Sequence, residues 1–296
     1  MTEGGSPNRI VMINSFKGGA GKTTAALCRC ITEYREKRYR SVYYVDMDVL
    51  GTGVDYTLSI SHQKGQNYYN DIEETNLKLS KKVQLVQQDE EGNRFYAAVL
   101  NPLSRIKQSY EGQDRLRAHP NVEGGIFRNK VMTLINQIMQ CGETTLIVLD
   151  CAPGISYVEQ SILDELYTIE KNKRRNTVVE EIYVTTPDAS HIRKTVDNIN
   201  EYSAYLRQHN RTITVLLNDL FDCEGMARRA EEETKPTFIF RREKILKYVT
   251  RALKVHSFNI LYKKYSEDLL RGSIILNEAK LSNRLDAYDS WPQKEG

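Results

Sequence analysis

Five short apolar runs, rich in β-branched residues, punctuate the chain, and each ends in polar or small residues. RIVMINSF begins at Arg9, SVYYVDMD covers 41–48, TTLIVLDCAPG covers 144–154, EIYVTTPD covers 181–188 and RTITVLLND covers 211–219. These runs are continuous rather than alternating, the pattern of strands buried on both faces of a parallel sheet. Between them the period changes to that of a helix. In TTAALCRCITEYREKRY, which follows Lys22, Leu27, Ile31 and Tyr34 fall on one side and charge gathers toward the end. That spacing predicts a helix of about four turns. NKVMTLINQIMQ (129–140), HIRKTVDNINEYSAYLRQ (191–208) and RREKILKYVTRALK (241–254) have helical character as well. VQLVQQDEEGNRFYAAVL predicts a hairpin turning near Glu91-Gly92-Asn93. The expected fold is α/β, a mostly parallel sheet with helices on both faces. No proline-rich linker, internal repeat or break in composition divides the chain, so residues 1–296 are read as one domain with a core over about 9–285.

Composition narrows the class without changing this picture. Of 296 residues, 40% are hydrophobic and 27% charged, which is ordinary for a packed protein and too apolar for a disordered one. No run of about 18 uncharged apolar residues is present, and MTEGGSPNR lacks the apolar stretch of a secretory signal; a cytoplasmic location is expected. Five cysteines at scattered spacings include no C-x-x-C pair, so they read as reduced thiols. A net charge of +3 does not identify a nucleic-acid binder. Local clusters carry that question: Arg35/Lys37/Arg38/Arg40, Lys171/Lys173/Arg174/Arg175, Arg241/Arg242/Lys244/Lys247 and Lys263/Lys264. Each alone reads as a solvated face.

The chemistry concentrates in NSFKGGAGKTTAAL, residues 14–27, which joins the first strand to the first helix. Gly18, Gly19 and Gly21 allow the backbone conformations that turn successive N–H groups toward phosphate oxygens, and the helix adds its own free N–H groups and partial positive charge. Lys22 is placed to reach the β- and γ-phosphates, and the Thr23 hydroxyl to ligate Mg²⁺. A strand, a glycine-rich loop and a helix in this order are the context of a P-loop. Yet the first glycine of G-x-x-x-x-G-K-[ST] is missing: Phe16 stands there, followed by Lys17, so the local pattern is K-G-G-x-G-K-T-T.

This pattern resembles the deviant phosphate loop of the ParA/MinD family of ATPases, closer to its ParA-like partitioning members. The resemblance implies a P-loop NTPase fold, ATP and Mg²⁺ as cofactors, ATP contacts from Lys17 through Thr24 (Lys17, Gly18, Gly19, Ala20, Gly21, Lys22, Thr23 and Thr24), and a homodimer closed around ATP. Lys17 matches the family's signature lysine, which reaches the nucleotide of the other subunit. Asp46-Met47-Asp48 stands where the family has Asp-x-Asp, although Val49 and Leu50 replace the usual Pro-Gln. Taken alone these aspartates read as caps or turn residues; the resemblance gives Asp48 the attacking water and Asp46 the Mg²⁺ shell. Asp150 resembles the metal-supporting aspartate of the third strand, and Cys151-Ala152-Pro153-Gly154 the switch segment after it. Thr185-Thr186-Pro187 resembles a later family segment, and Asn218 stands where the family pairs with the adenine edge, though a plain strand-end cap is the alternative. NILYKKYSEDLLRG (259–272) resembles the late strand and helix. Together these give catalytic roles to Lys17, Lys22 and Asp48 and metal roles to Thr23, Asp46 and Asp150.

The resemblance implies an ATP-hydrolysing switch with a hydrolysis-stimulating protein partner, and its task divides three ways. A ParA-like protein binds non-specific DNA and moves DNA or cargo, which would add a nucleoid association. A MinD-like protein binds a membrane through a C-terminal amphipathic helix, but IILNEAKLSNRLDAYDSW (274–291) is only weakly amphipathic and carries acids. A scaffold regulating a protein in secretion or defence is the third. A metallochaperone is disfavoured by the missing C-x-x-C.

Overall fold

The computed structural model describes residues 7–48, 54, 57–58, 60, 69, 78–100, 120–172, 176–219, 222–233, 242–264, 266, 288 and 291–292. Their strands are β1 (Asn8–Ser15), β2 (Ser41–Asp46), β3 (Gln84–Gln88), β4 (Arg94–Ala98), β5 (Thr145–Pro153), β6 (Thr177–Thr185), β7 (Thr212–Asn218) and β8 (Ser257–Lys263). They form one sheet in the order β3-β4-β2-β5-β1-β6-β7-β8. Every neighbouring pair is parallel except β3 with β4, the hairpin expected from the sequence, whose turn uses Gly92 at φ +80°. β1 lies inside the sheet, and its last six residues are buried, as are all six of β2. Two-sided burial explains why these strands read as continuous apolar runs.

The helices are α1 (Lys22–Arg35), α2 (Pro120–Met139), α3 (Tyr157–Lys171), α4 (Ala189–Glu201), α5 (Ser203–Gln208), α6 (Cys223–Glu232) and α7 (Arg242–Ala252). Alternate strand residues divide the core. Val11, Val42, Val148, Val184, Leu216 and Leu261 face α1, whereas Ile10, Tyr43 and Ile147 pack with residues of α2 and α3 on the opposite side. Farther along that second side, Ile213 and Val215 meet Ile192 and Ile199 of α4 and Ile245 and Val249 of α7. The stretch 191–208 is two helices rather than one: Tyr202 ends α4 and begins α5. The α1-side core also takes in Tyr288 and Trp291, beyond residue 285. The Trp291 backbone N–H donates to Thr32 Oγ1 at 3.1 Å, and the Arg29 guanidinium lies 5.2 Å from the Trp291 ring. The rest of 274–291, the helix expected after β8, Val49-Leu50 and Lys173/Arg174/Arg175 lie outside the described residues. Among the described residues no helix is long and apolar enough to cross a membrane.

Parallel pairing puts the carboxyl ends of β1, β2, β5, β6, β7 and β8 at one edge, the edge where open α/β sheets bind ligands.

Candidate nucleotide site

β1 ends at Ser15, whose hydroxyl donates to the Lys17 carbonyl at 2.9 Å and helps turn the chain out of the sheet. Gly19 and Gly21 then take φ of +78° each, the left-handed region that a side chain makes strained. A Cβ on Gly18 or Gly19 would meet nothing within 4 Å, so the loop presents open backbone rather than a filled turn. Ala20 is buried against the α1-side core and anchors the loop from beneath. Gly21 is the N-cap of α1; no side chain caps the helix, and no acid stands in its first turn. The free N–H groups and the helix dipole therefore face the same space without internal competition from a carboxylate.

Three aspartates border this loop. Asp46 and Asp150 are register partners on adjacent strands, and the Met47 N–H donates to the Asp150 carbonyl at 2.9 Å, extending the pairing past β2. The Asp48 N–H donates to Asp46 Oδ1 at 3.0 Å, and the Tyr69 hydroxyl donates to the Asp46 carbonyl. Asp150 is fully enclosed. Burial pushes its carboxyl from an ordinary value of 3.8 up to about 6; the Thr23 and Tyr44 hydroxyls and the Lys22 charge pull it down, while the nearby Asp48 pushes it up. Tyr44 donates to Asp150 Oδ2 at 2.7 Å, and Oδ1 is buried without a hydrogen-bond partner. A lone buried acceptor beside Thr23 and Lys22 matches the donor set that a hydrated Mg²⁺ supplies through its waters. Among the described residues no three His, Cys, Asp or Glu side chains gather as a metal-binding group, so protein carboxylates do not form a dedicated cage.

Tyr44 is a contact that the sequence reading omits. It stands two residues before Asp46 in a strand, hence on the same face, and a buried tyrosine requires a partner for its hydroxyl; that alternation was the available signal.

The structure gathers Gly18, Gly19, Ala20, Gly21, Lys22, Thr23, Thr24, Asp46, Asp48 and Asp150 around one strand edge. Lys17 turns outward: its Nζ donates to Ser190 Oγ at 3.2 Å, at the start of α4, where Asp188 caps the helix. Phe16 stacks on Tyr183, with ring centroids 5.5 Å apart. Asn218 is fully buried, and its amide NH₂ donates to the carbonyls of Ala20 at 3.2 Å and Gly21 at 3.3 Å, bracing the loop from behind. Its Oδ1 has no partner. Gly154, at φ +97°, donates its N–H to the Ser15 carbonyl at 2.6 Å, which ties the segment after Asp150 to the root of the phosphate loop.

The basic clusters are dispersed. Lys37 pairs with Glu91, Arg38 with Glu33 and Glu36, and Arg40 bonds the Glu91 carbonyl, all near the amino ends of β2 and β4 and away from the loop. On α7, Lys244 pairs with Glu231, whereas Lys247 and Arg251 lie beside the exposed Tyr248. Between α4 and α7 a cavity of about 210 Å³ is lined by Ala189, Ile192, Arg193, Lys244, Ile245 and Tyr248.

No family model and no curated protein sequence matches the chain. Solved structures do. The septum site-determining protein MinD of Pyrococcus horikoshii, complexed with Mg-ADP, is 16% identical with a TM-score of 0.54, over 95% of this chain and 94% of that one. A ParA family ATPase of Chlorobium tepidum is 16% identical with a TM-score of 0.53, over 95% and 98%. A Cyanothece McdA variant in complex with ATP is 9% identical with a TM-score of 0.54, over 96% of each. At such identities the likeness establishes a shared fold over nearly the whole chain.

Proposed function

We propose that this chain is an ATP-hydrolysing switch of the ParA/MinD type, acting with Mg²⁺. The observation that carries the reading is the open loop Gly18–Thr24, with two left-handed glycines at an uncapped helix start, set beside Lys22, Thr23 and the unpartnered Oδ1 of buried Asp150. The neighbours complexed with Mg-ADP and ATP share this fold and support the same ligand class here.

Backbone N–H groups of the loop and the start of α1 hold the phosphates, and Lys22 neutralises the β- and γ-oxygens. Thr23 and Asp150 would hold Mg²⁺, with Asp46 supporting them. Mg²⁺ held there would supply positive charge against the charge that builds on the phosphate oxygens. Asp48 orients the water that attacks the γ-phosphorus, the bond from that phosphorus to the β,γ-bridging oxygen breaks, and the products are ADP and phosphate. Lys17 is exposed at the rim and reaches the γ-phosphate of a second copy, in the manner of an arginine finger. Asn218 acts at the base and braces the loop.

Phosphate release measured with and without Mg²⁺ tests the core of this reading. Lys22→Ala is expected to abolish turnover and weaken nucleotide binding at least about tenfold, since a charge-assisted phosphate contact is lost. Turnover unchanged by Lys22→Ala would overturn it.

For the task of the switch, DNA or cargo positioning is the reading favoured by Arg193, Lys247 and Arg251, three cations near the exposed Tyr248 on the α4/α7 side. It predicts ATP-dependent retention on non-specific duplex that falls steeply with salt as counterion release weakens. No retention at low salt with ATP would leave a protein partner, recognising the ATP state, as the output.

A further inference from the structure

Tyr44 is a buried phenol where packing alone asks for no hydroxyl. It belongs to the α1-side core, on the same face of the sheet as Val42 of β2 and Val148 of β5, both aliphatic and both fully buried. Enclosing a phenol costs free energy unless its hydroxyl finds a partner. The partner is not the residue directly opposite. Tyr44 pairs in register with Val148, and Asp150 stands two residues farther along β5, a step of about 7 Å that a tyrosine side chain spans by leaning along the strand. Its hydroxyl donates to Asp150 Oδ2 at 2.7 Å, with both side chains buried.

That bond divides the two carboxylate oxygens. Oδ2 is spent on Tyr44, whereas Oδ1 has no hydrogen-bond partner among the described residues. The torsion that turns a carboxylate about its own axis is soft, so which oxygen faces a ligand is decided by what holds the group. Two hydroxyls act on Asp150, those of Thr23 and Tyr44. A Thr23 hydroxyl that ligates Mg²⁺ is no longer a tether for the carboxylate. Tyr44, fixed in β2 and packed against α1, remains one.

We propose that Tyr44 is a positioning residue for Mg²⁺ binding: by holding Asp150 through Oδ2 it fixes the carboxylate and leaves Oδ1 as the oxygen offered to the metal. Hydrogen-bonded partners of metal-binding carboxylates set metal affinity in this way. The assignment rests on the nucleotide and Mg²⁺ reading above, and it adds to that reading a residue that touches neither phosphate nor metal.

Calorimetric titration of the full chain with ADP, once in Mg²⁺ and once in EDTA, tests it. The ratio of the two affinities reads the contribution of the metal alone. Tyr44→Phe keeps the ring and removes the hydroxyl; it is expected to shrink that ratio about tenfold while leaving the affinity in EDTA within about twofold. Tyr44→Met, another buried side chain without a donor, should give the same ratio. Asp150→Asn should shrink the ratio too, and adding Tyr44→Phe to it should cost less than about a further twofold, since a residue that works through Asp150 then has no carboxylate to position. A ratio unchanged by Tyr44→Phe, equal losses in Mg²⁺ and EDTA, or a second tenfold loss on top of Asp150→Asn would overturn the proposal while leaving the phosphate site standing. A wild type that binds ADP equally in Mg²⁺ and EDTA would overturn the Mg²⁺ reading itself, and one that binds no ADP the nucleotide reading.

Discussion

Asp150 is the residue at which the chemistry of the site works against folding. Its carboxyl is raised from 3.8 to about 6 mainly by burial, so the folded chain binds a proton more tightly than the unfolded one. The contribution to stability is therefore present below about pH 4 and lost as pH rises through 6, a change of about 3 kcal/mol from the one-unit equivalence of 1.36 kcal/mol. Asp150→Asn keeps an acceptor for Tyr44 and removes the charge. Urea unfolding of the unliganded variant should give a more stable protein at pH 7 and a flatter profile between pH 4 and 6. The same variant should gain less stability from Mg-ATP than the wild type does. A variant less stable than wild type at pH 7 would mean that Lys22 already neutralises the carboxylate.

At the scale of elements, α3 shows how the segment after Asp150 is held. Ser156 caps the helix with its side chain accepting from the Val158 N–H at 3.1 Å, while Glu159 reaches back to the Ser156 N–H at 3.1 Å. Ser156→Ala should lower stability by about 1 kcal/mol, the usual worth of such a cap. Hydrogen exchange in residues 151–156 should accelerate more than in β6, because the cap is the anchor on one side and Gly154 on Ser15 the other. Equal acceleration in both places would indicate global destabilisation and no local hinge. The elements themselves were largely legible. Two-sided burial wrote β1, β2, β5, β6 and β7 as apolar runs, and DEEGN announced the β3–β4 turn. The phosphate loop was legible because its glycines and lysines act through backbone conformation and charge, both local properties. What escaped was decided by distant chain. Trp291 packs against α1, 259 residues from Thr32 along the chain, and nothing in its flanking sequence signals that partner. Tyr44 needed the face of β5 to be known before its hydroxyl had an acceptor. The orientation of the Asn218 amide is set by two carbonyls nearly two hundred residues earlier, so the residue type alone left its task open.

At the scale of the whole molecule, the proposed role of Lys17 bears on whether one chain is a complete unit. Its only side-chain bond among the described residues is the exposed one to Ser190, and an exposed contact of this kind contributes about 0–1 kcal/mol. That is too little to hold the ammonium against the attraction of a triphosphate in a second copy, so in the proposed dimer Lys17 would exchange Ser190 for that phosphate. On the proposed reading Lys22 supplies the in-chain cation, and Lys17 would couple association to nucleotide state. In the proposed dimer each site would lack one cation until two chains meet, and binding of ATP and of the second copy would favour one another by the same factor. Asp48→Ala should block hydrolysis and trap this species: sedimentation with ATP is expected to give a dimer, and without nucleotide a monomer. Adding Lys17→Ala to that background should return most of the protein to monomer while changing ATP affinity of the single chain by less than about threefold, since the lysine does not face its own loop. In the otherwise wild-type chain Lys17→Ala should slow turnover by at least about a hundredfold, the scale of a charge placed on the transferring phosphoryl group. A strictly monomeric Asp48→Ala variant with ATP bound would reassign Lys17 to the surface of a single-chain enzyme, with Ser190 as its permanent partner.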